Sequence, residues 1–202
     1  MMMSDQHIPP ESLKDWIARG ARGDEDACAQ LYREFSPAVL RLSFGLLNDL
    51  RDAEEVMQDA FVYALRNLEC FDPQKSAFRT WLFTIAIIRC RNKRRRKWLA
   101  TLPLSLLNAE SPSGSPREVE ALLARRGVRR QIWEALQELS PRLREAVVLR
   151  YLGNLKHGEI GQALGCNPKT AESRVRLGLV ALRGTLKRRG VEAEAELAEL
   201  SV

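Results

Sequence analysis

The sequence has few of the residues on which metal-binding, secreted and catalytic proteins depend. It contains only two His and four Cys, and the cysteines form no CxxC pair: Cys28, Cys70, Cys90 and Cys166. A zinc site or a disulfide framework is therefore not expected, and we interpret the cysteines as reduced, mostly buried thiols. The sequence also lacks a Ser/His/Asp set and a glycine-rich phosphate loop, so no catalytic centre and no cofactor or metal is expected.

Long apolar segments are missing as well. Residues 1–16 have no basic stretch followed by an apolar one, and no run of eighteen or more apolar residues occurs. These absences argue against export and against insertion into a membrane, so we expect a cytoplasmic location.

Apolar residues recur at helical spacing along most of the chain, and no segment rich in β-branched residues alternates with the two-residue period of a strand. The sequence therefore predicts an all-α protein with two small helical domains, residues 24–98 and 116–190. Prolines predict breaks in the first domain near Ser36-Pro37 and in the turn Phe71-Asp72-Pro73-Gln74. The linker, residues 99–115, is rich in Pro and Ser, so we expect the domains to take different relative positions.

Helix signals set the ends of the second domain. Ser115, Pro116 and Glu118 form a predicted capping box at its start. Beyond its end lies an acidic tail, residues 191–202, which we interpret as a fraying helix end rather than as a regulatory element.

Charge is distributed unevenly along the chain. The net charge is +6, yet a basic run between residues 89 and 97 alone carries +7. Residues 49–69 instead have a balance of −4. A basic patch attracts polyanions, whereas an acidic surface is repelled by DNA, so the pattern indicates two kinds of partner.

The most specific local pattern is a helix-turn-helix in the second domain. Ser140-Pro141 is predicted to open a helix that closes at Gly153, and a short helix near 157–164 ends at Gly165, which suits a left-handed conformation. Asn167-Pro168 then caps and opens a helix with a predicted core face of Ala171, Val175, Gly178 and Leu182. This arrangement is typical of a helix that enters the major groove of DNA, and the alternative is a generic amphipathic helix with a solvated polar face.

The first domain combines an acidic helix face with aromatic and basic residues. Asp52 is predicted to cap a helix whose exposed face carries Glu54, Glu55, Gln58, Asp59 and Val62. Such a face is ordinarily only a soluble surface. Phe78, Trp81 and Phe83 precede the basic run, and rings beside cations are typical of sites that bind single-stranded nucleic acid, although the rings also have the spacing of core residues.

Both halves together resemble the extracytoplasmic-function (ECF, group IV) RNA polymerase sigma factors of the sigma-70 family. GDEDACAQLYREFSPAVLRL, DAEEVMQDAFVYAL and FDPQKSAFRTWLFTIA are similar to region two of that family, and LSPRLREAVVLRYLGNLKHGEIGQALGCNPKTAESRVRLGLVALR is similar to region four. The resemblance implies a sigma factor, not an enzyme. Such a protein binds RNA polymerase core, directs it to specific promoters and promotes strand opening in transcription initiation, often as part of a stress response.

The resemblance also implies a role for individual residues. Docking on the β′ clamp helices of polymerase would use Asp52, Glu55, Gln58 and Asp59. Binding of the melted −10 element would use Lys75, Ser76, Phe78, Arg79, Trp81, Arg89, Asn92, Lys93, Arg94, Arg95 and Arg96. Reading of the −35 duplex would use Lys169, Thr170, Ser173, Arg174 and Arg176. Further expectations are contact with the polymerase β flap, an anti-sigma factor as partner, and a monomer when free.

Two other functions stay open at this point. A stand-alone helix-turn-helix regulator would bind duplex DNA through residues 116–190 alone, would dimerise and would not need polymerase. A nucleic-acid-processing enzyme would need clustered acids for metal binding, whereas the acids in this sequence line one helix face.

Overall fold

The computed structural model describes residues 10–101 and 127–190, and all regular secondary structure in these ranges is helical. The α-helices are α1 (Pro10–Gly20), α2 (Glu25–Leu47), α3 (Leu50–Arg66), α4 (Phe78–Thr101), α5 (Gly127–Glu138), α6 (Pro141–Tyr151), α7 (His157–Leu164) and α8 (Pro168–Arg188), with a 3-10 turn at Leu68–Cys70 after α3. The all-α prediction is confirmed. The predicted capping box at residues 115–118, most of the linker and the acidic tail lie outside the described residues.

The N-terminal domain consists of α1 to α4, and α1 precedes the start predicted from the sequence. Asp24 caps α2 by accepting a hydrogen bond from the Ala27 backbone N at 3.0 Å. The predicted break near Pro37 is wrong, because α2 runs through it to Leu47. Phe35 and Ala38 on either side of Pro37 are buried in the core, and this packing offsets the hydrogen bond that proline cannot donate.

The start of α3 also differs from the prediction. Its N-cap is Asp49, whose Oδ1 accepts a hydrogen bond from the backbone N of Asp52 at 3.0 Å. Asp52 therefore lies in the first turn and is not the cap. The earlier start of the helix fully buries Ala53 and turns the Asp52 side chain towards α4.

The C-terminal domain, α5 to α8, contains the predicted helix-turn-helix. Gly165 ends α7 with a φ of 66°, and the Asn167 side chain caps α8 by accepting a hydrogen bond from the Thr170 backbone N at 2.7 Å. The predicted core face of α8 is buried, including Gly178, where an added Cβ would lie 2.5 Å from Val147 Cγ2. The local geometry of this motif is thus confirmed.

The two domains pack against each other, and residues from both belong to one hydrophobic core. Phe44 of α2 contacts Trp133 of α5 with ring centroids 5.1 Å apart. Arg91 of α4 forms a two-pronged salt bridge with the buried carboxylate of Glu145 on α6, at 2.9 and 2.7 Å. We call this packing of α2 and α4 on α5, α6 and α7 the closed arrangement.

The cysteines are less uniformly buried than expected. Cys90 lies in the core, where burial raises the pKa of its thiol to about 12. Cys28 and Cys166 are half-buried, and Cys70 is exposed. The expectation of mostly buried thiols is therefore wrong for Cys70, which lies at the end of the 3-10 turn.

Within the two described ranges, no helix is both long and apolar enough to cross a bilayer.

Candidate protein and nucleic-acid interfaces

The outer surface of α3 carries exposed Glu55, Gln58 and Asp59, which we call the acidic face, and exposed Arg51 and Arg66 flank it on the same helix. Val62 lies on the same surface and is 50% exposed, while Glu54 is half-buried. The apolar stripe of α3 packs into the core on the opposite side. The acidic face is therefore available to a protein partner.

Asp52 lies beneath the acidic face rather than on it. Its side chain is 11% exposed and forms salt bridges with Lys93, at 3.4 Å, and with Lys97 of α4. Lys93 also pairs with Glu55. A hydrogen bond to Asp52 is the main cause that raises the pKa of Lys97. Two cations of the basic run are thus paired with carboxylates at the start of α3, and these pairs hold α4 against α3.

We expect Asp52→Asn to lower the free energy of unfolding by about 1–2 kcal/mol, because it removes the nearly buried carboxylate that Lys93 shares with the more exposed Lys97. Urea denaturation at neutral pH measures this loss. The Lys97 pKa is raised in the folded state, so its contribution is fully present at neutral pH and is lost only as the pH rises through the raised value. A wild-type stability in Asp52→Asn would contradict the structural role of this cluster.

The aromatic residues before the basic run are mainly core residues. Phe78 is 3% exposed and Phe83 is fully buried, so neither ring can stack on a base in this arrangement. Trp81 is half-buried and packs against Phe71, with ring centroids 5.5 Å apart. The Arg79 guanidinium lies over the Phe83 ring at 5.6 Å. Among the predicted aromatic contacts, Trp81 alone keeps part of its surface in solvent.

The basic run occupies two different sides of α4. On one side Arg89, Asn92, Lys93 and Arg96 line a small depression together with Glu55 and Asp59 of the acidic face. On the other side Arg91, Arg94 and Arg95 face the C-terminal domain. The side that faces the C-terminal domain is the one left to bind an anion, since the first side already lies next to carboxylates.

The predicted −35 residues lie at the N-terminal end of α8. Lys169, Ser173 and Arg176 are exposed, and Thr170 is half-buried. Arg174 is also half-buried, with its Nη1 3.4 Å from Cys166 Sγ in the turn between α7 and α8. The exposed residues can reach a nucleic-acid groove, while Arg174 lies at the flank of the helix, as predicted.

An open cleft of about 740 Å³ separates α4 from the C-terminal domain. We call it the arginine cleft; its lining consists of Arg91, Arg94, Arg95, Trp98, Pro141, Arg142, Glu145, Leu164 and Arg174. Glu145 is the one carboxylate among these residues, and it is paired with Arg91. Within the described ranges, Arg94, Arg95 and Arg142 form no salt bridge. The cleft thus brings predicted −10 residues, Arg94 and Arg95, beside the predicted −35 residue Arg174.

Six residues of this cleft were not among the predicted site residues: Arg91, Trp98, Pro141, Arg142, Glu145 and Leu164. For Trp98 the sequence contained a partial signal, because this residue directly follows the basic run. In the structure it is 63% exposed. No sequence pattern indicated Glu145, because its salt bridge with Arg91 forms only where the two domains meet.

Both halves of the chain are similar to known proteins. Residues 31–100 match the family model for Sigma-70 region 2, and residues 129–182 match the model for Sigma-70, region 4. The chain is 32% identical over 165 residues to RNA polymerase sigma factor NccH of Alcaligenes xylosoxydans xylosoxydans, covering 78% of this chain and 85% of that protein. It is 28% identical over 185 residues to ECF RNA polymerase sigma factor SigW of Bacillus subtilis (strain 168), covering 87% of this chain and 97% of that protein.

A solved structure of CnrH in complex with the cytosolic domain of CnrY is also similar. It superimposes with a TM-score of 0.63 at 26% identity, covering 88% of this chain and 98% of that chain. The likeness therefore extends over both helical domains and not over the helix-turn-helix alone.

Proposed function

This chain belongs to the extracytoplasmic-function sigma factors of the sigma-70 family, and we propose that its two domains bind different parts of the polymerase and promoter complex. A sigma factor is a promoter-specific initiation factor that acts with RNA polymerase core on promoter DNA. In the proposed division, residues 24–98 bind core and the −10 element, and residues 116–190 bind the −35 element. We place the protein in the group IV subdivision and in the cytoplasm, where polymerase acts.

The observation that carries the polymerase part of the proposal is the acidic face on a chain whose net charge is +6. DNA would repel this face, whereas a basic protein surface such as the β′ clamp helices would attract it. Glu55, Gln58 and Asp59 can make direct contacts from exposed positions, while Asp52 acts by fixing the position of α3.

The double variant Gln58→Ala/Asp59→Arg is expected to lose binding to purified RNA polymerase core at least tenfold, because it removes an exposed polar contact and reverses a charge. A pull-down over a salt series, with circular dichroism to show that the variant is folded, measures this loss. Glu69→Arg, which reverses an exposed acid outside the acidic face, is the matched control and should bind as wild type. Equal binding of both variants would show that core contacts the chain elsewhere than at the acidic face.

We propose that α4 and the loop before it bind the melted −10 strand. Lys75 is exposed, Ser76 is half-buried, and Trp81 offers part of a ring beside the cations of the basic run. Single strands are bound by this combination of backbone neutralisation and stacking. Because each extruded base costs a few kcal/mol of unstacking, held bases would drive strand opening through binding energy. Phe78 and Lys93 would contribute by positioning α4, since one is buried and the other is paired with carboxylates.

The N-terminal half of α8 is the proposed −35 recognition element. Its cap at Asn167 fixes the start of the helix, and Lys169, Ser173 and Arg176 point away from the core. A capped helix that follows a tight glycine turn is suited to the major groove. Thr170 and Arg174 lie at the flanks, where phosphate contacts are geometrically closer than base edges.

The closed arrangement is not the arrangement that binds a promoter. Arg94, Arg95 and Arg174 surround one cleft, whereas the two promoter elements are separated along the DNA. We propose that binding to core, through the clamp helices and the β flap, selects an arrangement in which the domains have moved apart.

We further propose an anti-sigma factor as partner and a monomeric free chain. The relative CnrH was solved in complex with the cytosolic domain of CnrY. In this chain the arginine cleft between the domains contains arginines that form no salt bridge with the described residues, and an acidic segment of such a protein could bind them. Affinity purification from the native cell that recovers polymerase subunits alone, under both growth and stress, would argue against this partner.

A further inference from the structure

The surface of α8 that faces away from the core carries a basic stripe with an apolar centre. Leu177 is 49% exposed and Val180 is 61% exposed. Arg176, Arg183 and Lys187 are exposed around them at helical spacing. We call these residues, Arg176, Leu177, Val180, Arg183 and Lys187, the α8 stripe.

DNA binding does not account for the apolar part of this stripe. The predicted −35 residues extend from Lys169 to Arg176 in the N-terminal half of α8, whereas Val180 lies about one helical turn beyond Arg176. A phosphate backbone makes no favourable contact with exposed valine and leucine side chains. At Gly184, one turn after Val180, an added Cβ would have only Arg188 Nη1 within 4 Å, at 3.8 Å. The surface beside Val180 is therefore open to the close approach of another helix.

The segment that follows α8 in the sequence has matching chemistry. Gly190 follows the end of α8 in a left-handed conformation, with a φ of 73°, and its backbone N donates to the Lys187 carbonyl at 3.1 Å. Such an ending stops α8, so the next residues can take a direction of their own. Residues 191–202 contain four Glu and no basic residue, with Leu197 and Leu200 three positions apart. Val180 lies ten residues, about 15 Å, before Gly190 along α8, and the seven residues from Gly190 to Leu197 can reach that far when the first of them are extended, because an extended chain spans about 3.3 Å per residue.

We propose that residues 191–202 dock on the α8 stripe, antiparallel to α8. Leu197 covers Val180, Leu200 covers Leu177, and the glutamates lie beside the basic side chains of the stripe. Attachment through Gly190 gives the tail an effective concentration in the millimolar range, so a weak contact suffices to populate the docked form. Docking covers Arg176 and competes with −35 DNA; this consequence, unlike the docking itself, rests on the proposed function.

Methyl NMR on the full chain tests the docking. The signals of Leu177 and Val180 are compared with those of a chain that ends at Gly190, with Leu31 in the core of the other domain as an internal control. We expect the deletion to shift the Leu177 and Val180 signals and to leave Leu31 unchanged. Two full-length variants separate the apolar contribution to docking from the electrostatic one. Leu197→Ser/Leu200→Ser keeps all four negative charges of the tail. Glu192→Gln/Glu194→Gln/Glu196→Gln/Glu199→Gln keeps both leucines. At physiological salt, the Leu177 and Val180 methyl signals of each variant should lie at the positions seen in the chain that ends at Gly190.

The outcomes distinguish the occupant of the stripe. Identical Leu177 and Val180 signals in the full chain and the deletion overturn the proposal. A difference that disappears on dilution also overturns it, because the stripe would then be covered by a second copy of the chain.

Measuring the affinity for a −35 duplex tests whether the docked tail competes with DNA, which is a separate question from whether the tail docks. If about four-fifths of the chain is docked, the deletion is expected to bind a −35 duplex about fivefold more tightly. Shifted methyl signals without this gain support the docking and count instead against the role of Arg176 in −35 binding.

Discussion

Arg144→Met is expected to lower the free energy of unfolding by about 3–5 kcal/mol. Arg144 is 7% exposed, and its guanidinium donates to the backbone carbonyls of Leu136 at 2.9 Å and Leu139 at 3.1 Å, at the end of α5. It also donates to the Leu46 carbonyl of α2 at 3.2 Å. Methionine has a similar length but no donor, so several buried carbonyls would lose their partner at once.

Urea denaturation measures this effect as a lower midpoint with an unchanged slope. Arg142→Met is the matched control, because Arg142 lies on the same helix but is exposed to solvent in the arginine cleft. Burial lowers the pKa of Arg144 to about 10, which shows the cost of placing this charge inside the protein. A loss below about 1 kcal/mol would mean that the hydrogen bonds only offset that cost.

Gly45→Leu is expected to open the closed arrangement without unfolding either domain. A Cβ at Gly45 would lie 2.6 Å from Leu152 Cδ1 and 3.3 Å from both Trp133 Cζ3 and Val148 Cγ2, all in the other domain. Inside α2 itself the substitution is favourable, because leucine has a helix propensity better than that of glycine by up to about 1 kcal/mol. The strain therefore falls on the contact between the domains.

Small-angle X-ray scattering measures the opening. The compact chain should have a radius of gyration of about 17 Å, and the variant about 20 Å or more. Release of Arg174 from the arginine cleft should also tighten binding of a −35 duplex several-fold. Gly158→Leu is the control, since an added Cβ at Gly158 would meet nothing within 4 Å. An unchanged radius in Gly45→Leu would show that the interface repacks around the new side chain.

Local signals in the sequence predicted local structure well. Asn167 and Gly165 act on the backbone within a few residues, so their positions determine the ends of α7 and α8 regardless of the rest of the fold. The core face of α8 follows in the same way from its spacing. The exposed positions of the acidic face, Glu55, Gln58 and Asp59, agree with the helix periodicity for the same reason.

Predictions failed where distant residues compete with a local rule. Pro37 has the sequence signal of a helix break, yet the burial of Phe35 and Ala38 keeps α2 continuous. Asp52 has the signal of a cap, yet Asp49 takes that position and Asp52 meets two lysines of α4.

The arginine cleft could not be predicted for a related reason. Contacts between residues such as Arg91 and Glu145, which are 54 positions apart, depend on how the domains meet, and no periodicity carries that information.

The hydrophobic core that both domains share makes them one thermodynamic unit in the closed arrangement. Residues such as Leu42 and Leu149, each fully buried, lie on opposite sides of the domain boundary but in the same core. Heat should therefore melt the free chain in one cooperative transition, although its two halves match separate family models, those for region 2 and region 4. Once a partner holds the domains apart, each half retains only its own part of the core, and cooperativity between them is lost.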